Sequence, residues 1–368
     1  MATPATDADL GLLVKVGDPR AWRFVERPRP AAEDGELLVR VEKFGLSANN
    51  VTYAVLGQSP IVNYFDFFPS GEPGWGRVPV WGMGVVADSR YPDVAVGERM
   101  YGYFPLGRYL RLRPAARTDV GFDVDRGDLP AVYSRYTLTP SDPFHVAARE
   151  DAMIVFRPLA LTSILLDDFI ADGNDWFGAD SVTIASASSK TSFVLAYMLH
   201  RRRPSRPVVG LTSARHAAFV RGLGLYTRVA TYDEIGTLPA NDRTVVVDVA
   251  GDASVRGALR SRLGGAVAMT ITVGLSHWDK ATDLAAATES GAEPTVFFFA
   301  PAWLEKRRAD WGPAVMGERI VGAWHEFMGN VDRFVRVVRG DGQDAVASVY
   351  AAMVDGRPGP DEAHVLSL

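Results

Sequence analysis

The stretch Ser181–His200, SVTIASASSKTSFVLAYMLH, holds a strand, a turn and a helix in succession. SVTIA (181–185) is an apolar run of strand length. SASSKT (186–191) is a turn of small hydroxylated residues. FVLAYMLH (193–200) is an apolar helix. Arg201, Arg202 and Arg203 follow, then Pro204; cations suit the last turn of a helix and proline marks a stop. A strand passing through a short turn into a helix opens a βαβ unit.

The pattern repeats downstream. Pro207–Leu211 (PVVGL) reads as a second strand, Ala214–Leu223 as a helix closed by Gly224, and Val229–Ala230 as a short third strand. Thr244–Val249 (TVVVDV) is a fourth strand, Ala253–Leu263 a helix, Ala266–Val273 a fifth strand and Thr295–Phe299 a sixth. Alternating strands and helices predict a parallel sheet, and continuously apolar strands predict cover on both faces. Ala160–Ile170 has helical periodicity. Residues 1–150 read as mostly β, with strands at Glu36–Glu42 and Val78–Val86, the latter glycine-punctuated as where backbones approach closely. Residues 103–145 show no sustained period and are expected to be irregular. Beyond 314 the sequence predicts one or two helices and a final strand, His364–Leu368.

A doubly wound sheet binds ligands at the carboxyl ends of its strands, so the two turns after the first two strands decide the chemistry. The first, Ser186–Thr191, contains no glycine. Its small residues still allow close approach of a pyrophosphate at a helix start. Ser186, Ser188, Ser189 and Thr191 offer hydroxyls and Lys190 a compact positive charge. The second runs Gly210-Leu-Thr-Ser-Ala-Arg-His216 and has no carboxylate to grip a ribose 2′-hydroxyl. Thr212, Ser213 and Arg215 suit a phosphate monoester, which points to NADP(H) rather than NAD(H). The alternative for the first turn is a serine-rich helix cap without a ligand, against which its position, hydroxyl density and lysine weigh; the second, taken alone, is equally a helix cap with a solvated arginine. The two together favour the cofactor. Arg201–Arg203 lie at the opposite end of the helix and read as solvated.

Composition narrows the classes. The 368 residues are 47% hydrophobic and 23% charged, which excludes a disordered chain. A net charge of -5 provides no basic field for nucleic acid or anionic lipid. Cysteine is absent, which removes disulfides, thiol nucleophiles, thiolate zinc sites and iron–sulfur clusters together. The six histidines show no ligand spacing, so no metal is expected. Only Lys15, Lys43, Lys190, Lys280 and Lys306 are lysines among the 39 basic residues, which singles out Lys190 in its turn. No apolar run approaches the roughly 18 residues of a membrane span, and Met1–Leu10 lacks a signal-peptide pattern. A cytoplasmic protein without a membrane or nucleic-acid partner is expected.

Several motifs resemble the medium-chain dehydrogenase/reductase superfamily in its zinc-free quinone oxidoreductase and enoyl reductase branch. They are Gly35–Val41 (GELLVRV) with Phe44–Asn50 (FGLSANN), Trp81–Val86 (WGMGVV) and Val96–Met100 (VGERM). Glu98 stands where that family usually has Asp. More narrowly, Arg157-Pro158-Leu159, Ser186–Thr191, Gly274–Trp278 (GLSHW) and Phe297–Pro301 (FFFAP) resemble the DUF2855 proteins. The resemblance implies an α/β protein with a GroES-like β-rich catalytic domain (1–155), a Rossmann doubly wound parallel-sheet domain binding NADP(H) (156–305), and a C-terminal segment (306–368) that returns to the first. NADPH would lie between the domains, and relatives often form homodimers through the sheet edge near Phe297–Phe299.

Without zinc, a carbonyl or alkene must be polarised by hydrogen bonds and protonated by a side chain. Tyr53 and Tyr64 follow the Asn49-Asn50 loop that faces the nicotinamide in relatives; either is a candidate proton donor or a packed aromatic. Asn50 is a candidate for orienting substrate or nicotinamide ribose. Gly274 and His277 follow the fifth strand, where Gly274 suits cofactor approach and His277 a hydrogen bond or proton shuttle. Tyr133 and Tyr136 are expected near the mouth of a cleft. The expected activity is NADPH-dependent reduction of an enone, quinone or enoyl-type substrate. The alternative is a redox-inactive protein that binds or senses NADPH on the same fold.

Overall fold

The structure, a computed structural model, describes residues 7–59, 63–127, 129–273 and 294–368. The chain divides into two units. One comprises the chain up to Val155 with Val337–Pro358 and Glu362–Leu368; the other comprises Phe156–Arg336 and Gly359–Asp361.

The first unit is built around the strand Leu37–Leu46, which pairs antiparallel with Pro79–Ser89 on one side and with Glu362–Ser367 on the other. Gly82 is required in this pairing, because a Cβ there would lie 2.5 Å from the Lys43 carbonyl oxygen. Among the described residues the sheet continues through Arg99–Pro105, Arg135–Leu138, Gly121–Val124 and Pro114–Thr118, while Tyr109–Leu112 adds to Leu37–Leu46. The 103–145 stretch is therefore strand-rich rather than irregular. Its strands are four or five residues long and interrupted by Pro114, too short to display a period. A smaller sheet joins Asp18–Arg27, Asp9–Lys15 and Trp75–Arg77. One helix, α1 (Ala48–Val55), stands where the sequence suggested a loop.

A long helix, α2 (Glu150–Asp172), carries the chain from one unit into the other. Its first turn is acidic, as the helix dipole favours, and is dense with cations. Arg99 and Lys43 lie 2.9 and 2.8 Å from Glu150, His145 lies 2.9 Å from it, and Arg339 lies 2.6 Å from Asp151. The helix continues through Pro158, although proline removes one amide donor. That extends it ten residues upstream of the periodic segment.

The second unit holds a parallel sheet. Its strands are β1 (Ser181–Ala185), β2 (Val208–Thr212), β3 (Arg228–Thr231), β4 (Thr244–Asp248), β5 (Val267–Thr272) and β6 (Thr295–Phe297). Among the described residues their order is β3-β2-β1-β4-β5-β6. This is the doubly wound order, in which the direction of growth reverses between β1 and β4. Every residue of β1, β2 and β4 is buried, as their apolar sequences require. The core beneath β2 and β4 includes Leu211, Val246, Val255, Leu259 and Leu263. Helix α3 (Lys190–Arg202) follows β1, and α4 (Ala253–Leu263) follows β4. The helix after β2 begins as a 3-10 turn, Ala214–His216, and continues as Ala217–Gly222.

Helix α5 (Ala300–Asn330) is interrupted at Gly312, whose φ of 77° precedes Pro313. Residues 300–304 form its first turn. Between α2 and β1, Asn174–Phe177 adopt φ of 45–64°, a left-handed turn that L-residues tolerate poorly. Arg206 clamps it, pairing with Asp175 and placing its guanidinium 5.0 Å above the Trp176 ring. Among the described residues no helix is long and apolar enough to cross a membrane.

Candidate functional site

The turn between β1 and α3 uses serine where a nucleotide loop would use glycine. Ser186 takes φ 57°, a left-handed conformation that favours glycine. The next residue, Ala187, is fully buried and donates its amide to the Leu211 carbonyl at 2.8 Å. A Cβ on Gly210 would sit 3.0 Å from that of Ala187 and 2.8 Å from the Tyr226 ring, so both positions must be small. The Ser189 amide closes the turn on the Ser186 carbonyl at 2.8 Å. Its hydroxyl caps α3, accepting from the Ser192 amide at 3.2 Å.

Each serine hydroxyl has a partner within the protein. The Ser186 hydroxyl meets the Tyr232 hydroxyl at 3.4 Å, Ser188 meets His216 Nδ1 at 3.1 Å, and Ser189 donates to the Ser192 hydroxyl at 2.8 Å. The hydroxyl density therefore builds the turn. The turn places the Thr191 amide in the first turn of a thirteen-residue helix, ahead of the i→i−4 ladder, where an anion would approach. Lys190 and Thr191 occupy that first turn. The Lys190 ammonium lies 3.4 Å from the Pro360 carbonyl, and the Thr191 carbonyl accepts from the Ser163 hydroxyl at 2.9 Å.

At the end of β2, Thr212 is 1% exposed, and among the described residues its hydroxyl has no hydrogen-bond partner. A buried orphan hydroxyl at a strand's carboxyl end is the kind of group a ligand satisfies. Ser213 precedes the 3-10 turn without capping it, and Arg215 is exposed on that turn. His216 was not singled out from the sequence. It bridges the two turns through Ser188. Burial, reinforced by Arg215, lowers its pKa and favours neutral imidazole.

Asp248, at the end of β4, was also missed. It is fully buried and pairs in register with Ala185, beside the switch point. Its Oδ1 accepts from the amides of Ala250 and Gly251 at 3.2 and 2.9 Å, and Oδ2 lies 2.6 Å from Arg256 Nη1. This carboxylate fixes the loop at the carboxyl end of β4. The signal was a single acid closing an otherwise apolar run, TVVVD. Gly274 and His277 lie outside the described residues.

Asn50, Tyr53 and Tyr64 belong to the first unit. Ser47 and Asn50 form a capping box at the start of α1. The Asn50 side chain accepts from the Ser47 amide and donates to the Pro79 carbonyl, both at 2.9 Å. Its polar atoms thus have partners within the fold. The Tyr53 hydroxyl accepts from Asn49 Nδ2 at 2.7 Å and from Trp81 Nε1 at 3.2 Å. A phenol accepting two N–H groups keeps its own proton available to donate. The Tyr53 and Tyr64 rings lie 4.5 Å apart, and the Tyr64 and Tyr133 hydroxyls 3.3 Å apart.

Trp81, Tyr103 and Tyr133 complete an aromatic cluster with these two residues. Burial raises the pKa of Tyr53, Tyr64, Tyr103 and Tyr133, so all four phenols stay protonated at neutral pH. They are hydrogen-bond donors rather than bases. Tyr133 and Tyr136 are buried, the latter donating to the Tyr103 carbonyl at 2.5 Å. Among the described residues no group of three His, Asp or Glu side chains is placed to hold a metal ion.

No curated protein matches the chain. Among the many solved structures that share its fold over nearly the whole length are the following three. CurA from Vibrio vulnificus, in complex with NADPH, is 12% identical with a TM-score of 0.66, covering 97% of this chain and 98% of CurA. Mycobacterial Rv1454c complexed with NADPH is 15% identical with a TM-score of 0.59, covering 97% and 99%. The quinone oxidoreductase from Coxiella burnetii is 13% identical with a TM-score of 0.54, covering 98% and 99%. With a family model matching residues 44–358, the chain belongs to the family described as Protein of unknown function (DUF2855).

Proposed function

We propose that the chain is an NADP(H)-dependent oxidoreductase that reduces an activated alkene or carbonyl without zinc. The observation that carries this reading is the pair of turns at the carboxyl ends of β1 and β2. One adopts a glycine conformation with serine, and the other presents an orphaned buried hydroxyl beside Arg215 and no carboxylate. CurA and Rv1454c, both solved in complex with NADPH on this fold, support it.

The Thr191 amide and Lys190 would receive the pyrophosphate. Thr212, Ser213 and Arg215 would receive the 2′-phosphate. When bound, the nicotinamide supplies a hydride. The protein's share is polarisation and a proton. Tyr53 and Tyr64 hold protons at neutral pH because burial disfavours their phenolates, so each can donate a hydrogen bond to a substrate oxygen. His277 and Gly274 remain candidates for the same chemistry and for cofactor approach, and Asn50 for orienting substrate or nicotinamide ribose. The reading assigns catalysis to 1–155, cofactor binding to 156–305 and a returning segment to 306–368, with assembly as a homodimer.

Stopped-flow oxidation of NADPH against a panel of enones, quinones and aldehydes tests the proposal. Turnover with at least one member is expected. Cofactor binding with none would favour the second reading, a redox-inactive NADPH sensor. The mutual hydrogen bonding of the tyrosines in a buried cluster supports that alternative.

A further inference from the structure

Ser188 and His216 stand where the two nucleotide turns meet. Ser188 belongs to the turn between β1 and α3, and His216 follows Arg215 in the turn after β2. The Ser188 hydroxyl lies 3.1 Å from His216 Nδ1. Both residues are half-buried, and among the described residues His216 Nε2 is neither sealed nor hydrogen-bonded. A hydroxyl both donates and accepts, so Ser188 can hold Nδ1 of the neutral ring or of the imidazolium. In both states Nε2 is left as an N–H donor. A dinucleotide with its pyrophosphate at the start of α3 and its 2′-phosphate on the β2 turn lays its ribose across this pair.

The surroundings contain cations and phenols. Arg215 precedes His216 on its own turn. Lys190 opens α3 and reaches the Pro360 carbonyl at 3.4 Å. Tyr226 is a phenol that burial keeps protonated, donating to the Ala187 carbonyl at 2.9 Å. Tyr232 meets Ser186. Among the described residues no carboxylate acts on the imidazole. The ring therefore has no internal anion to pair with when it is charged, and a bound phosphate would supply one.

We propose that His216 is a proton-linked specificity residue, donating from Nε2 as an imidazolium to the 2′-phosphate of NADPH, so that the preference for NADPH over NADH weakens as pH rises. The inference rests on the NADP(H) reading of the two turns and adds a titrating contact to it. In the free protein, burial and then Arg215 lower the pKa, which leaves the ring neutral at pH 7. A phosphate on Nε2 raises it again. The contribution of His216 to affinity is thus complete below the free pKa and is lost as pH rises through the bound one. A phosphate monoester held by arginine alone has the opposite sign, because it binds best as the dianion and releases protons near its own pKa of about 6.

Fluorescence titration of the full chain with NADPH and NADH between about pH 5.5 and 8.5, on wild type and His216→Gln, tests the proposal. Glutamine keeps an N–H donor that does not titrate. The wild-type preference for NADPH, divided by that of the variant, should fall by about threefold to tenfold across this range. Calorimetry near pH 7 in buffers of different ionisation enthalpy should show net proton uptake by the wild type with NADPH and none with NADH. The same pH course in both proteins, or no net uptake with NADPH, overturns the role of His216 and leaves the NADP(H) reading standing. Absence of NADPH binding at every pH overturns both. Should His216→Gln fail to fold, the wild-type proton count with the two cofactors decides on its own.

Discussion

Ser186 is where the reading of the β1–α3 turn meets a measurable energy. An L-residue held at φ 57° bears a cost of about 1–2 kcal/mol relative to the right-handed region. Glycine escapes that cost but adds about 0.5–1 kcal/mol of chain entropy to the unfolded state. The hydroxyl lost is a weak contact, 3.4 Å from Tyr232. Ser186→Gly should therefore lie between neutral and about 1.5 kcal/mol more stable than wild type. Ser186→Val, β-branched in the same conformation, should be less stable by about 1–3 kcal/mol. Urea unfolding followed by tryptophan fluorescence reads both as shifts in midpoint at constant slope. NADPH affinity should survive in the glycine variant and fall in the valine variant, because the Ser189 cap is registered on the Ser186 carbonyl. A glycine variant less stable by more than about 1 kcal/mol, or a valine variant with the wild-type midpoint, would refute the argument.

Three further outcomes follow from other parts of the fold. Asp248→Ala strands the Arg256 guanidinium and two amides, and should destabilise the chain by about 3–5 kcal/mol in the same assay; Asp248→Asn should cost less. If Tyr53 or Tyr64 is the proton donor, its Phe variant should lose about 10²–10⁴-fold in kcat with the substrate found by the panel, with little change in NADPH affinity. Burial alone would raise Glu150, but hydrogen bonds from Arg99, Lys43 and His145 outweigh it and depress its pKa to about 2 from an ordinary 4.5. Its contribution, about 3 kcal/mol, is complete above pH 4.5 and is lost as pH falls through 2. Acid unfolding of Glu150→Gln should be correspondingly flatter in that window, and a profile parallel to wild type would contradict the assignment.

The parallel sheet was legible because β1, β2 and β4 are continuous apolar runs bounded by turns, a pattern that buried strands impose. The strands of 103–145 were not, since each is short and three of the four present an arginine, Arg111, Arg117 or Arg135, to solvent or to an ion pair. The start of α2 was hidden by Pro158, which ordinarily ends a helix, whereas here the acidic first turn and its cations anchor the helix upstream. At the site, residue types located the two turns, but the serine hydroxyls serve the turn itself. Arg201–Arg203, read as solvated, pair with Glu326, Asp167 and Asp175. His216 acquires its importance from Ser188, 28 residues away, which no local pattern reveals, whereas Asp248 shows locally as the one acid closing TVVVD.

The central claim is that the turns after β1 and β2 hold a nicotinamide cofactor by its phosphates. Fluorescence titration with NADPH and NADH, on wild type and Arg215→Ala, tests it most directly. A charge-assisted contact to the 2′-phosphate predicts NADPH tighter than NADH by about tenfold to a hundredfold, with the preference largely erased by Arg215→Ala. Equal weak binding of both cofactors to the wild type, or a preference untouched by the substitution, would contradict it.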